Sequence, residues 1–175
     1  MAEIGHPLLR CLFDYWSEKK GERKLPRRID IDPIELPAKL RPHLLLQDVY
    51  FENGAVRFRY RLVGQHFQDQ IGRNVTWTYS DVALAPLGSY GRYVIELFAD
   101  SVRAEAASYS ENMFTPGQQR ATTLTRRLIL PLSSDGEIVD MVLSGHVFEY
   151  PGADSVQFGS GVQNFKEILH FMLPA

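Results

Sequence analysis

The chain contains 175 residues, of which 45% are hydrophobic and 23% are charged, and its formal net charge is −2 at pH 7. A chain of this length and composition is expected to form one globular domain with additional terminal elements. The slightly negative charge gives no long-range attraction to nucleic acid or to an anionic membrane, so neither is expected as a partner.

Residues 7–20 form the first predicted element, an amphipathic helix. The apolar stripe of this helix is a predicted interface and consists of Leu8, Leu9, Leu12, Phe13 and Trp16. The stripe needs a cover, either the sheet of the same chain or the same helix of a second copy, and the second possibility predicts a homodimer. Residues 21–42 read as a solvated connector, because the basic residues at its start are closely followed by acidic ones.

Residues 43–51 and 55–63 are predicted to be the strands of a hairpin that turns at Asn53 and Gly54. The second strand alternates, with one set of side chains apolar (Val56, Phe58, Tyr60 and Leu62) and the other set basic (Arg57, Arg59 and Arg61). A period of two directs the apolar set to the core and the arginines to solvent. A charged row of this kind also suits an edge strand.

The remaining elements follow from spacing and turn residues. Residues 64–88 predict short helical turns, and residues 89–106 predict a longer helix. Strands are predicted at 107–114, 120–132 and 137–150, followed by a loop from Gly152 to Gly161. The chain is expected to close with a helix whose apolar side carries Phe165, Ile168, Leu169 and Met172. We therefore expect a core at 43–150, with the N-terminal helix and connector at 1–42 and a C-terminal loop and helix at 151–175.

Four stretches in this order resemble a family of short single-domain bacterial PAS-like proteins: "LFDYW", "LPRRIDIDPIELP", "FRYRLVGQHFQDQIGRN" and "RRLILPLSSDGEIVDMVLSG". The resemblance implies an α+β fold, a PAS-like five-stranded antiparallel sheet with helices on one face and an N-terminal amphipathic helix. The strand at 137–150 has apolar side chains on both faces, so we expect two covers, the helices between the strands and the N-terminal helix. The family usually has a glycine where this chain has Trp77, so the indole is expected to fill part of the central pocket.

The resemblance also implies a sensory or signalling module without catalytic activity, which binds a small ligand or docks a signalling protein. The predicted ligand-binding residues are Tyr60, Phe67, Trp77, Tyr93, Leu97, Tyr109, Arg126, Met141, Leu143 and Ser144. Arg126 is singled out because its strand alternation places it among leucines, and a buried arginine requires an anionic partner or ligand. An arginine that lays its stem on apolar surface and its head in water has the same pattern.

Two other functions remain open at this point. The chain is alternatively a pure interaction or dimerisation module whose interior is filled by its own side chains, or a small enzyme that uses a cavity carboxylate. The histidines have no metal-ligand spacing, and neither a nucleophile motif nor a phosphate loop occurs, so no catalytic residue and no metal are expected. The usual flavin, haem and chromophore anchors of PAS domains are missing from residues 64–106, so no cofactor is assigned.

The expected location is the cytoplasm. The single cysteine, Cys11, excludes an internal disulfide framework and suits a reducing compartment. No apolar run approaches the roughly 20 residues needed to cross a bilayer, and the N-terminus lacks the features of a signal peptide.

Overall fold

The strand segments of the chain pair in a single antiparallel sheet. The computed structural model describes residues 3–117, 122–151 and 161–174. Within these ranges the sheet has six strands: β1 (Leu44–Glu52), β2 (Ala55–Val63), β3 (Ser108–Pro116), β4 (Thr123–Leu132), β5 (Met141–Glu149) and β6 (Val162–Met172). Their order across the sheet is β2-β1-β5-β4-β3-β6. The predicted α+β class with an antiparallel sheet is confirmed, and the sheet has one strand more than expected.

The helices lie at the N-terminus and between β2 and β3. They are α1 (Pro7–Lys20), α2 (Gln65–Ile71), α3 (Ser80–Ala83) and α4 (Ser89–Ala104), and short 3-10 turns occupy Arg28–Asp30, Ala38–His43 and Ala85–Leu87. At the start of α1 the side chain of His6 accepts a hydrogen bond from the Leu8 amide, and Pro7 occupies the first turn. At its end Gly21 has a φ of 55°, which glycine adopts without the steric penalty of a Cβ atom.

Each face of the sheet has its own apolar cluster and its own cover. On the face covered by α2, α3 and α4, which we call the helix-covered face, the cluster includes Phe58, Tyr60, Phe67, Leu97 and Phe98. On the opposite face, which we call the α1 face, it includes Leu9, Leu12, Trp16, Leu128 and Leu143. The stripe of the N-terminal helix is therefore covered by the sheet of its own chain.

Gly145 of β5 allows α1 to lie close to the sheet. A Cβ atom built on Gly145 would be 2.7 Å from Leu9 Cδ2 and 2.9 Å from Leu12 Cδ2, which is closer than non-bonded carbon atoms pack. Trp16 fixes the other end of the helix, because its Nε1 donates to the Pro131 carbonyl at 2.9 Å. Leu8 and Phe13 are only partly buried at the margin of this contact.

A β-bulge changes the facing of the second strand. The pairing of β1 with β2 shifts register between Leu46 and Gln47, so Leu46 lies opposite Leu62 and Gln47 lies opposite Tyr60. Because of this extra residue, Val63 is buried in the helix-covered cluster and Leu62 is 43% exposed. The prediction that Leu62 shares the core side with Phe58 and Tyr60 is wrong.

The arginines of β2 are paired with acids and are not freely solvated. Arg59 and Arg61 contact the carboxylate of Asp48 at 3.1 and 2.9 Å, and Arg57 contacts Asp81 at 3.0 Å. The strand is an edge of the sheet, as predicted.

The C-terminal helix predicted from Phe165, Ile168, Leu169 and Met172 is wrong, because this segment is strand β6, paired with β3. The pairing shifts register where Glu111 faces Leu169 and Asn112 faces Glu167. The bulge moves the apolar side chains from one face to the other: Phe165 packs on the helix-covered cluster, whereas Leu169 and Phe171 pack on the α1 cluster. A strand with a bulge loses its period of two, and the remaining spacing imitates a helix. Of the loop predicted from Gly152 to Gly161, residues 152–160 lie outside the described residues.

Candidate functional site

The helix-covered face contains a small internal cavity. Its volume is about 10 Å³, and it is lined by Leu45, Gln47, Phe58, Tyr60, Phe67, Ser80, Leu84, Val94, Ile95, Phe98 and His146. A space of this size holds about one water molecule at most. No carboxylate lines it among the described residues. The aromatic side chains of β2, α2 and α4 fill most of the interior in this conformation.

Buried polar side chains continue from this cavity across the sheet. They come from three adjacent strands and face the helices: Ser110 and Asn112 of β3, Thr123, Thr125 and Arg127 of β4, and Ser144 and His146 of β5. We call this set the polar row. Antiparallel pairing brings its members together, because Arg127 lies directly opposite Ser110 on one side and His146 on the other.

Arg127 is the charged member of the polar row. It is 2% exposed. Its Nη1 donates to Asn112 Oδ1 at 3.3 Å and to Ser110 Oγ at 3.5 Å, and both hydrogen bonds are long. Its buried Nε makes no hydrogen bond, and no carboxylate forms an ion pair with it, within the part of the chain that the structure describes.

Other atoms of the row also lack partners. The hydroxyls of Thr123 and Thr125, Nδ1 of His146 and the nearby Oε1 of Gln47 are buried without a hydrogen bond among the described residues. Native proteins pair the large majority of such buried polar groups. The helix-covered face thus combines one uncompensated cation with several unused donors and acceptors.

Three titratable side chains around Arg127, those of His146, Tyr60 and Tyr93, stay neutral near pH 7. Burial, and secondly the charge of Arg127, hold the pKa of His146 well below its usual range. The imidazole Nε2 lies 3.0 Å from Ser144 Oγ. Burial raises the pKa of Tyr60 to about 12, and burial likewise raises the pKa of Tyr93. Near neutral pH these groups therefore supply no negative charge to balance the guanidinium.

The predicted ligand-binding residues divide between the two faces of the sheet. Tyr60 and Phe67 line the cavity, and Leu97 and Ser144 are buried on the same face. Tyr93 is half-buried at the margin, where its hydroxyl donates to Glu167 Oε2 at 3.0 Å. The predicted residues that pack instead on the α1 face are Tyr109, Met141 and Leu143. The structure thus assembles only part of the predicted set.

Arg126 does not lie in the pocket, contrary to the expectation from its strand. It points to the α1 face, where its Nε contacts Glu111 Oε1 at 3.1 Å and its Nη1 contacts Glu149. The uncompensated arginine is its neighbour Arg127, which the sequence analysis missed. Arg127 could have been found from the alternation of β4, because it shares a face with Thr123, Thr125 and Ile129, and Ile129 belongs to the helix-covered cluster.

Trp77 is also outside the pocket, so the prediction that its ring fills the interior is wrong. Its side chain is 61% exposed. Its φ of 67° is a conformation that glycine adopts freely, which fits the glycine implied for this position by the resemblance. The Trp77 amide donates to the Tyr60 carbonyl at 2.7 Å, and the Tyr60 amide donates to Thr78 at 3.1 Å. The segment serves to cover the free edge of β2.

A second concavity lies on the α1 face. This groove has a volume of about 190 Å³ and is lined by Arg28, Ile31, Pro33, Arg41, Leu44, Leu46, Leu62 and Leu143. Its floor is apolar and both of its charged residues are cations. Arg28 donates to the Ile31 carbonyl at 2.9 Å, and neither Arg28 nor Arg41 has an ion pair among the described residues.

Neither a metal centre nor a spanning helix is found in the described ranges. Among these residues, no group of three or more His, Cys, Asp or Glu side chains is placed to hold a metal ion. Every helix within them falls short of the length and apolar character that a bilayer-spanning helix requires.

Comparison with known proteins gives one match. A family model described as a PAS domain matches residues 4–144. This range contains α1, the helices of the helix-covered face and strands β1 to β4. No curated protein and no solved structure matches the chain.

Proposed function

The chain belongs to the PAS domain family, and we propose that it is a non-catalytic sensory module that binds a small molecule on the helix-covered face. Sensory and signalling roles are general in this family. The observation that carries the proposal is the polar row, in which several buried donors and acceptors lack partners among the described residues. Leaving such groups unsatisfied costs about 1 to 3 kcal/mol each, and a bound molecule would recover part of that cost.

The small size of the cavity indicates how binding of a ligand would produce a signal. A volume of about 10 Å³ admits no metabolite, so a ligand must bind an arrangement in which α2, α3 or α4 has moved away from the sheet. Such a ligand shifts the population toward that arrangement by its differential affinity for it. The displaced helices would then present a changed surface to a signalling partner.

A thermal-shift screen against small metabolites tests the proposal. A compound that binds only the folded protein should raise the melting temperature, in proportion to RT ln(1 + [L]/Kd). The half-buried Ile95 lines the cavity, so Ile95→Phe should abolish the shift by filling it. Leu62→Trp, in the groove of the α1 face, is the matched control and should keep the shift.

The screen has two outcomes that contradict the proposal. If no compound raises the melting temperature, a sensory role for the helix-covered face is lost. If Leu62→Trp removes the shift and Ile95→Phe does not, the ligand occupies the groove.

The groove favours a second candidate function, docking of a protein partner. It is larger than the internal cavity, at about 190 Å³ against about 10 Å³. Its apolar floor and its two cations without described ion pairs fit a partner segment that presents an acidic residue beside apolar ones.

Selection from a displayed library of random peptides tests the docking candidate. The recovered peptides should share an acidic residue flanked by apolar ones. Their binding should be lost in Leu62→Asp and kept in Ile138→Asp, a control at an exposed isoleucine that does not line the groove and lies in the loop between β4 and β5. Peptides without acidic residues, or binding that survives Leu62→Asp, would count against this candidate.

A further inference from the structure

We infer that the ligand of the helix-covered face is a short-chain monocarboxylate and that the side chain of Arg127 binds its carboxylate. The inference rests on the proposed function and adds the chemical class of the ligand. It depends on the burial of Arg127, on the lack of a counter-charge for it among the described residues and on the apolar cavity beside it.

Arg127 brings a positive charge into the interior. The guanidinium group of arginine is a cation, and the residue is 2% exposed. Buried charges are expected to be paired, because desolvation of a lone ion is strongly unfavourable. The described residues offer Arg127 only the neutral acceptors Asn112 and Ser110, at long distances.

The geometry of the guanidinium selects a planar oxyanion. Both described hydrogen bonds of the side chain come from Nη1, and the buried Nε is unused. Carboxylates bind an arginine through two parallel N–H donors. Thr125 is the neighbour of Arg127 on the same face of β4. Its buried hydroxyl lacks a partner among the described residues, so this hydroxyl is available to donate a hydrogen bond to the same anion.

The balance of charge selects a monoanion. One cation lies in the polar row, and His146, Tyr60 and Tyr93 around it are neutral near pH 7. A single negative charge compensates Arg127, whereas a dianion would leave an excess charge buried.

The neighbouring cavity selects a short apolar remainder. His146, which lies opposite Arg127 on the adjacent strand, also lines the cavity. The other cavity walls include the rings of Phe58, Phe67 and Phe98. A carboxylate on Arg127 would therefore extend its carbon chain into an apolar space, and the small volume of the cavity, about 10 Å³, favours a chain of a few carbon atoms.

Titration calorimetry with matched ligands tests the inference. Acetate, propionate and butyrate are compared with the corresponding neutral amides and with inorganic phosphate. The carboxylates should bind at least ~30-fold more tightly than the amides, because truncating one partner of a buried charge pair has an effect of this order. Arg127→Gln should weaken carboxylate binding by a similar factor. Arg126→Gln, on the opposite face, is the matched control and should leave it unchanged.

Each alternative result has a defined meaning. If amides bind as tightly as carboxylates, or if phosphate binds more tightly, the inference is wrong and the sensory role stands. If carboxylate binding survives Arg127→Gln, the anion site is elsewhere, and Arg28→Gln in the groove locates it. If no compound binds, both the inference and the proposed function are contradicted. Should Arg127→Gln fail to fold, the preference of the unmodified protein for carboxylates over amides decides the matter.

Discussion

Arg126 and Arg127 show how one residue step separates two environments in a strand. Arg126 is balanced by the carboxylates of Glu111 and Glu149 on the α1 face. Arg127 projects under the helices and has no such balance among the described residues. Because a buried uncompensated charge lowers stability, its presence at this position is better explained by a ligand than by the fold.

His146 should make stability depend on pH. Its pKa is lowered in the folded protein, mainly by burial, so the unfolded chain binds more protons below its ordinary value of about 6.5. The free energy of unfolding should therefore fall as pH falls below about 6.5, with up to about 1.4 kcal/mol per pH unit from this group. Urea unfolding at several pH values should give a smaller slope for His146→Gln than for the unmodified protein. Equal slopes would show that His146 does not titrate on unfolding.

Gly145 should couple energetically to α1. Gly145→Ala places a Cβ atom against the δ-methyl groups of Leu9 and Leu12, and overpacking of this kind costs about 1 to 3 kcal/mol. In the double variant Gly145→Ala with Leu9→Ala, the loss of unfolding free energy should be smaller than the sum of the two single losses, since the second change relieves the clash. Additive effects in chemical denaturation would contradict the close approach.

At the residue scale, only part of the candidate site could be predicted from the sequence. Phe67 and Ser144, both predicted to bind a ligand, lie on the helix-covered face, whereas Met141 and Leu143 of the same strand as Ser144 pack on the α1 face, because successive side chains of a strand alternate between its faces. Arg126 was chosen because it alternates with leucines, whereas Arg127 alternates with Thr123 and Thr125, whose burial only the structure shows.

At the scale of elements, α1 is an intramolecular cover. Leu9, Leu12 and Trp16 are at most 2% exposed within one chain, so of the predicted interface only Leu8 and Phe13, which are partly buried, are accessible to a second copy. The homodimer stays a prediction. It can be tested by measuring whether the stability of the protein depends on its concentration.

Leu12→Ala should lower the free energy of unfolding, measured by urea denaturation, by about 2 to 5 kcal/mol, the usual effect of truncating a buried leucine.

The melting temperature of the unmodified protein should not change with protein concentration, because the helix is covered within its own chain. Calorimetric scans over a wide range of protein concentration provide the measurement. A melting temperature that rises with concentration would instead indicate that stability depends on a second copy.

Most strands and helices were predicted from the sequence because their spacing is regular. The hairpin turn at Asn53 and Gly54 was correct, with positive φ values of 51° and 79°. Strand β6 was not predicted, because its bulge breaks the alternation and its pairing with β3 depends on contacts distant in sequence. Leu62 was misplaced by the bulge between β1 and β2. Bulges are set by pairing and closure of the sheet, which local spacing does not encode.

At the scale of the whole molecule, both faces of one sheet are covered and the two covers differ. Beneath α1, the α1 face is closed by apolar packing and by the ion pairs of Arg126, and beside it the groove of about 190 Å³ remains open. The helix-covered face holds a cation, unsatisfied polar atoms and a cavity of about 10 Å³. The buried groups without described partners make the helix-covered face the less stable of the two. Binding of a ligand there can therefore be transmitted as movement of its helices.

The most direct measurement of this account is the free energy of unfolding of Arg127→Met in the absence of ligand. Methionine occupies a similar space without charge, so removing the buried cation should leave the unfolding free energy in urea unchanged or increase it. If Arg127 were instead balanced by a partner within the protein, Arg127→Met would lower the free energy of unfolding, because it would leave that partner buried and unpaired. A loss of about 3 to 5 kcal/mol in Arg127→Met would contradict the central claim that Arg127 is kept in the interior for an anion from outside the chain.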